Sequence, residues 1–199
     1  MMTLESIDRL NSFDIVLASK SPRRQHLLAE LGLQFRIIDH IGMAEVYPAS
    51  LRAEEIPLYL AKAKAACCEH FINPNTILIA ADTIVWLENK VIEKPIDQDD
   101  AVHMLGKLSG RMHEVFTGVC LRTMTGESSF FACSRVYFRS LSEEEIRYYV
   151  DKFSPYDKAG AYGVQEWIGY VGVEKIEGSY YNIMGLPVQQ LYNELLKLI

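Results

Sequence analysis

Twelve consecutive residues, Thr76-Ile-Leu-Ile-Ala-Ala-Asp-Thr-Ile-Val-Trp-Leu87, contain one ionisable side chain, Asp82. A run of this length and composition, followed by the turn candidate Glu88-Asn89 and by Lys90-Val-Ile-Glu-Lys94, reads as a long strand that turns back on itself. Pro95 ends the extended stretch. Before it, apolar periodicity predicts a strand at 14–18, a helix at 22–31, a strand near 35–39 and a helix across 53–70, with Leu60, Ala61 and Lys64 on neighbouring turns. Hairpins and β–α connections therefore coexist. That combination predicts an α/β domain with a mixed, twisted sheet and flanking helices.

The later elements carry their own boundary signals. Asp97 as N-cap, with Asp100 three residues on, starts a helix that runs to Leu108, and Gly110 is its natural stop. Segments 113–122 and 128–140 read as a hairpin around Thr125-Gly126, and Ser142-Glu-Glu-Glu145 is a capping box for a helix at 143–152. After a glycine-rich stretch, 167–176 reads as a further strand and 186–198 as a closing helix.

No Pro/Gly/Ser-rich linker or charge block divides the 199 residues, so a single domain spanning 1–199 is expected. No apolar run is long enough to cross a bilayer, and the first eight residues carry acids where a signal peptide needs a basic start. A cytoplasmic protein without membrane association is expected. The formal net charge of −6 argues against general binding to nucleic-acid backbones. Cys67, Cys68, Cys120 and Cys133 form no C-x-x-C pair and meet no histidine at zinc-finger spacing, so buried or free thiols are expected.

Against this acidic background, Ser19-Lys-Ser-Pro-Arg-Arg24 is a local inversion of sign, with no acid between Asp14 and Glu30. Ser21 is a good N-cap and Pro22 a good first helical residue. Arg23 and Arg24 in the first turn then oppose the helix dipole unless an anion sits among them. Free N–H groups, the Ser19 and Ser21 hydroxyls and the guanidinium groups would converge on a phosphate there. Solvated surface arginines are the alternative.

Asp82 inside its apolar run must be paired, metal-bound or protonated, because burying a lone carboxylate is very costly. Capping a bulge or pairing with a lysine would satisfy it structurally; a strand end in an open α/β sheet also favours ligand chemistry. Lys94 ends the returning strand and could share a cleft with Asp82, or simply be solvated. In Asp157-Lys-Ala-Gly-Ala-Tyr-Gly-Val-Gln165 the small residues around Tyr162 suggest close backbone approach, and Gln165 can offer donor and acceptor to a base edge. A tightly packed loop without a ligand is the other reading. Glu45 falls in a loop-like segment. His26, His40, His70, His103 and His113 show no metal or nucleophile spacing and are read as structural.

Seven segments in consistent order resemble the Maf family of nucleotide pyrophosphatases: Ile15-Val-Leu-Ala-Ser-Lys-Ser-Pro-Arg-Arg24, Leu60-Ala-Lys-Ala-Lys-Ala65, Ala81-Asp-Thr-Ile-Val85, Glu93-Lys-Pro95, Leu108-Ser-Gly110, Asp157–Gln165 and Gly185-Leu-Pro187. The resemblance runs from about residue 14 to 195. It implies a fold like that of inosine triphosphate pyrophosphatases, two lobes around a cleft, a homodimer, and metal-dependent hydrolysis of nucleoside triphosphates to monophosphate and pyrophosphate. Asp82 and Lys94 would be catalytic, with Ser19, Ser21, Arg23, Arg24, Lys64, Thr83 and Gln165 binding substrate. Asp82 and Glu45 would hold Mg²⁺ or Mn²⁺; this chain has Ala44-Glu45 where many relatives have two consecutive acids.

Ala81-Asp82-Thr83 and Ala161-Tyr-Gly-Val-Gln165 resemble the branch acting on dTTP and UTP, a role that would extend to removing modified pyrimidine nucleotides. Arg23, Thr83 and Gln165 are the matching specificity positions. Two rivals stay open: a pyrophosphatase for 7-methyl-GTP or non-standard purine triphosphates, and a non-enzymatic nucleotide-binding regulator of septum formation. Asp82→Asn should leave metal-free stability similar or higher, because it relieves repulsion from a nearby carboxylate such as Glu45 and removes a buried charge.

Overall fold

The structure, a computed structural model, describes residues 4–38 and 45–199. His40 and Ala44 lie outside the described residues. Helix α1 (Leu4–Asn11) precedes strand β1 (Asp14–Ala18), and α2 (Pro22–Glu30) leads to β2 (Phe35–Ile38). Helix α3 (Glu55–Cys67) and a 3₁₀ turn at Glu69–Phe71 precede β3 (Thr76–Leu87) and β4 (Lys90–Ile92). Then follow α4 (Gln98–Leu108), β5 (Met112–Thr123), β6 (Gly126–Phe138), α5 (Glu143–Phe153), α6 (Trp167–Gly172), β7 (Val173–Glu177), α7 (Tyr180–Ile183) and α8 (Val188–Leu196). The sheet has seven strands in the order β2-β1-β3-β5-β6-β7, with β4 pairing β3. The expected mixed α/β sheet with flanking helices is present.

Two compact units make up the chain: Met1–Asp82, Thr117–Ala132 and Gly185–Ile199 in the first, Thr83–Phe116 and Cys133–Met184 in the second. In the first, β1 pairs in parallel with both β2 and β3. Parallel neighbours need a crossover, which α2 supplies between β1 and β2. Ile15–Ala18 are buried, as a strand covered on both faces requires. Small side chains dominate the layer beneath α3: Ala18, Ala61, Ala65, Ala80, Cys68 and Cys120 pack with Val16 and Leu78. Burial pushes the Cys120 thiol up to about 12, which keeps it protonated and inert.

One glycine sets how closely α3 approaches the sheet. A Cβ on Gly118 would lie 2.4 Å from the Pro57 carbonyl carbon and 2.5 Å from the Leu58 nitrogen, both backbone atoms of α3. Lys64 lies on the same helix, on the buried side with Leu60, Ala61 and Ala65, so the position of Pro57 and Leu58 also fixes where its side chain starts.

The second unit has its own apolar core. Val85 and Leu87, Leu105 and Leu108 of α4, Ile146, Tyr149 and Val150 of α5, Val136, Phe138, Tyr162, Val164 and Ile168 pack together. The caps are those the sequence predicts: Asp97 accepts from the Asp100 N–H, and Ser142 and Glu145 form a complete capping box. Buried within this core, His113 Nε2 and the Tyr162 hydroxyl share a hydrogen bond of 2.7 Å, with Phe138 edge-on to both rings. Among the described residues Nδ1 of His113 has no hydrogen-bond partner. The structural reading of this histidine holds.

Two boundaries differ from expectation. Segment 167–176 is not one strand but helix α6 followed by β7. The reason lies at Gly169, where a Cβ would come 1.9 Å from the Val164 carbonyl oxygen, so a helical turn folds against the preceding loop. The closing helix starts at Val188, and a separate short helix, α7, precedes it. The N-terminal helix α1 had no counterpart in the sequence reading.

Gly118→Ala is expected to destabilise the protein by about 1–3 kcal/mol, because backbone atoms on both sides must move apart. A fall in Tm on thermal unfolding checks this, and an unchanged Tm would mean that α3 shifts without cost. His113 predicts a pH dependence. Burial drops its pKa from 6.5 to about 3, so below pH 6.5 the unfolded chain takes up a proton that the folded one refuses. Stability is therefore lost as pH falls through that window, by about 2 kcal/mol between pH 7 and pH 5. Glu145, held down to about 2 by Arg139, contributes its own loss mainly below that range. Urea midpoints at pH 7 and pH 5 should show the slope in the unaltered protein and a smaller one in His113→Phe.

Candidate active site

In the first unit, the turn after β1 is built as the sequence suggests. Ser21 is the N-cap of α2, its Oγ accepting from the Arg24 N–H at 3.5 Å, and Pro22 opens the helix. Ser19 is buried; its Oγ accepts from the Ser21 N–H at 3.2 Å and from a terminal guanidinium nitrogen of Arg24 at 3.3 Å. Arg24 Nε donates to the Gly185 carbonyl at 2.8 Å. Arg24 thus ties the β1–α2 turn to the segment before α8.

The Arg24 residue is half-buried, but its guanidinium head is enclosed. Burial lowers its pKa from the ordinary guanidinium value, the negative charge of Asp82 opposes that shift, Arg23 adds to it and Glu45 again opposes it. Asp82, Arg23 and Glu45 therefore each lie within electrostatic reach of Arg24.

Lys64 completes the group. Its Nζ meets Asp82 Oδ1 at 2.5 Å and Glu45 Oε1 at 2.6 Å. The Lys64 and Asp82 side chains are 4% and 9% exposed and that of Glu45 is 45% exposed, so the chain of charges runs from the interior to the surface. An ammonium stripped of water is compensated only by close, hydrogen-bonded anions, and here it has two. The lysine that pairs with Asp82 is Lys64. The repulsion expected between Asp82 and Glu45 is relieved by the ammonium between them.

Two carboxylates against one ammonium leave a formal charge of −1 on this cluster. Their hard oxygen donors suit Mg²⁺ or Mn²⁺. Among the described residues no group of three or more His, Cys, Asp or Glu could hold a metal. A divalent ion can take one or two carboxylates and complete its shell with waters and substrate phosphates. The donor set therefore fits the implied ion.

Thr83, Lys94 and Gln165 belong to the second unit. Thr83 directly follows Asp82 on β3 and is half-buried; Lys94 is exposed just beyond β4; Gln165 is half-buried. The Gly160 N–H donates to the Glu93 carbonyl at 3.0 Å, so the small-residue segment holds the backbone next to Lys94. Gly160 has φ +71°, and a Cβ there would come 3.1 Å from a Val85 methyl, which accounts for the glycine.

Sequence reasoning missed three side chains around this segment. Lys158 is buried and meets Asp157 Oδ1 at 2.7 Å and Glu166 Oε1 at 3.1 Å, and the Tyr149 hydroxyl donates to Glu166 Oε2. Lys158 lies inside the Asp157–Gln165 motif. Tyr149 and Glu166 carried no such signal, since they come from separate elements and only the fold brings them together.

A family model described as Maf-like protein matches residues 14–198. Proteins named dTTP/UTP pyrophosphatase are 53% identical in Phocaeicola vulgatus and 55% identical in Bacteroides thetaiotaomicron, each alignment covering 96% of this chain and 100% of the relative. One from Porphyromonas gingivalis is 48% identical, covering 95% of this chain and 96% of its own length. A HAM1 protein from Coxiella burnetii shares the fold at 12% identity, with a TM-score of 0.50 over 93% of this chain and 99% of that one. A family model spanning nearly the whole chain, and relatives about half identical along all of it, show that the chain belongs to the Maf family.

Proposed function

We propose that this protein hydrolyses dTTP and UTP to dTMP and UMP with release of pyrophosphate. The observation that carries the reading is the buried Lys64 bridging Asp82 and Glu45 within electrostatic reach of Arg24, in a chain about half identical to proteins named dTTP/UTP pyrophosphatase. Such a site combines fixed anions for a cation and a base with fixed cations for phosphates.

Asp82 and Glu45 would hold a divalent ion, Mg²⁺ or Mn²⁺. Bound there, such an ion would screen the triphosphate and make the attacking water more acidic. The chain's own residues do the rest. The Asp82 carboxylate accepts the proton of the attacking water as its oxygen bonds to the α-phosphorus. The bond from that phosphorus to the bridging oxygen of the β-phosphate breaks, and pyrophosphate leaves. Arg23, Lys94 and the Ser19–Ser21 turn bind phosphate oxygens, and Lys94 stabilises charge on the leaving group. Lys64 holds Asp82 in place and adds positive charge beside the phosphates. Arg24, tied to Ser19 and Gly185, shapes the phosphate turn as well as adding charge. Thr83 and Gln165 face the nucleoside, with the Gln165 amide pairing with the O4 and N3–H edge that thymine and uracil share.

Incubation with dTTP, UTP, 7-methyl-GTP and ITP, with products separated, tests the reading. Monophosphate and pyrophosphate from dTTP and UTP are expected, with orthophosphate appearing only after an inorganic pyrophosphatase is added. Diphosphates with orthophosphate would reject attack at the α-phosphorus, and preference for 7-methyl-GTP would reject the pyrimidine assignment.

Asp82→Asn should lower kcat by at least about 10²-fold, the scale of lost general-base catalysis. Because Lys64 depends on Asp82, the same change should now also lower the metal-free Tm, contrary to the expectation from sequence. Near-normal turnover with a large loss of Tm would make Asp82 purely structural.

A further inference from the structure

Gln165 ends a segment whose backbone is gripped from several sides. The Gly163 N–H donates to the Tyr149 hydroxyl at 3.0 Å, and that hydroxyl donates to Glu166 Oε2. The other oxygen of Glu166 meets Lys158 Nζ at 3.1 Å, and Lys158 is held in turn by Asp157 at 2.7 Å. Tyr149 is fully buried and stacks on Phe153, and Lys158 is 8% exposed. A Cβ on Gly163 would lie 2.7 Å from Cδ of Glu166 and 2.9 Å from Oε2, so the carboxylate is pressed against the Gly163 backbone. On the other side, α6 sets Gly169 against the Val164 carbonyl, and the Glu166 N–H donates to the Gly163 carbonyl at 3.0 Å. The peptide groups on both flanks of Gln165 are thereby fixed.

A glutamine amide presents a donor and an acceptor and can rotate to match either O4 with N3–H, as in thymine and uracil, or the reversed pattern of cytosine. It discriminates only if its position relative to the base is held. We propose that Tyr149, Glu166 and Lys158 are positioning residues that fix the Gln165 backbone, so that selection of dTTP and UTP over dCTP depends on this buried network. The inference rests on the base-reading role given to Gln165 above.

The test is the ratio of kcat/KM for dTTP to kcat/KM for dCTP in the unaltered protein, Gln165→Ala, Tyr149→Phe and Glu166→Gln. A merely structural defect lowers both substrates together and leaves the ratio alone; loss of positioning lowers the ratio. Tyr149→Phe keeps the ring in the core and removes only the hydroxyl, and should lower the ratio about fivefold, the scale of one hydrogen bond. Glu166→Gln should act in the same direction. The double variant Gln165→Ala/Tyr149→Phe should show no loss of ratio beyond that of Gln165→Ala, since both act through one contact. A ratio near one in the unaltered protein, or one that Gln165→Ala leaves unchanged, overturns the base-reading role and this inference with it. A ratio that falls in Gln165→Ala but stays within about twofold in both Tyr149→Phe and Glu166→Gln overturns the inference alone.

Discussion

A lysine ammonium buried between two carboxylates is the constraint around which the first unit is arranged. Bare burial of Lys64 or Asp82 would cost several kcal/mol, so neither is tolerable without the other, and the exposed Glu45 closes the outer side of the ammonium. Lys64 reaches Asp82 because α3 lies unusually close to the sheet. That closeness needs alanines on both surfaces and no side chain at all on Gly118. The apolar character of β3 then follows from the same arrangement: one aspartate interrupts a strand otherwise built for burial, and it does so where a cation is waiting.

Much of this was legible in the sequence for identifiable reasons. Caps are local, so Ser21, Asp97 and Ser142 could be read with their helices. The β3 run announced itself by length, and Asp82 by being out of place within it. The sense of its pairing was not legible. Lys64 and Lys94 are both near motifs, and choosing between them requires knowing that α3 crosses over the sheet while the end of β4 stays exposed. Helix α6 was misread for a similar reason. Its apolar content suits a strand, and only the contact of Gly169 with Val164 decides for a helix.

Arginine roles also separated only in three dimensions. In the sequence Arg23 and Arg24 are equivalent cations in one helical turn, both opposed to the dipole. In the structure Arg24 bends back to Ser19 and Gly185, where a carbonyl and a hydroxyl oxygen compensate its desolvation. A framework arginine of this kind still contributes positive potential to the site, so the structural and functional readings weighed at the outset are not exclusive.

The second unit repeats the device of a buried lysine between one inner and one outer carboxylate. Lys158 stands between Glu166, whose side chain is 20% exposed, and Asp157, at 57%. The difference lies in the inner acid. Both oxygens of Glu166 are engaged, one by Lys158 and one by the Tyr149 hydroxyl, and the cluster closes on itself as a brace. The bond that holds Asp82 uses Oδ1, and its outer partner, Glu45, is nearly half exposed. An acid saturated by neighbours stabilises a loop. Asp82 is held through Oδ1 among the described residues and is linked by its lysine to an exposed carboxylate, which is why the proposed chemistry is given to the first cluster and not the second.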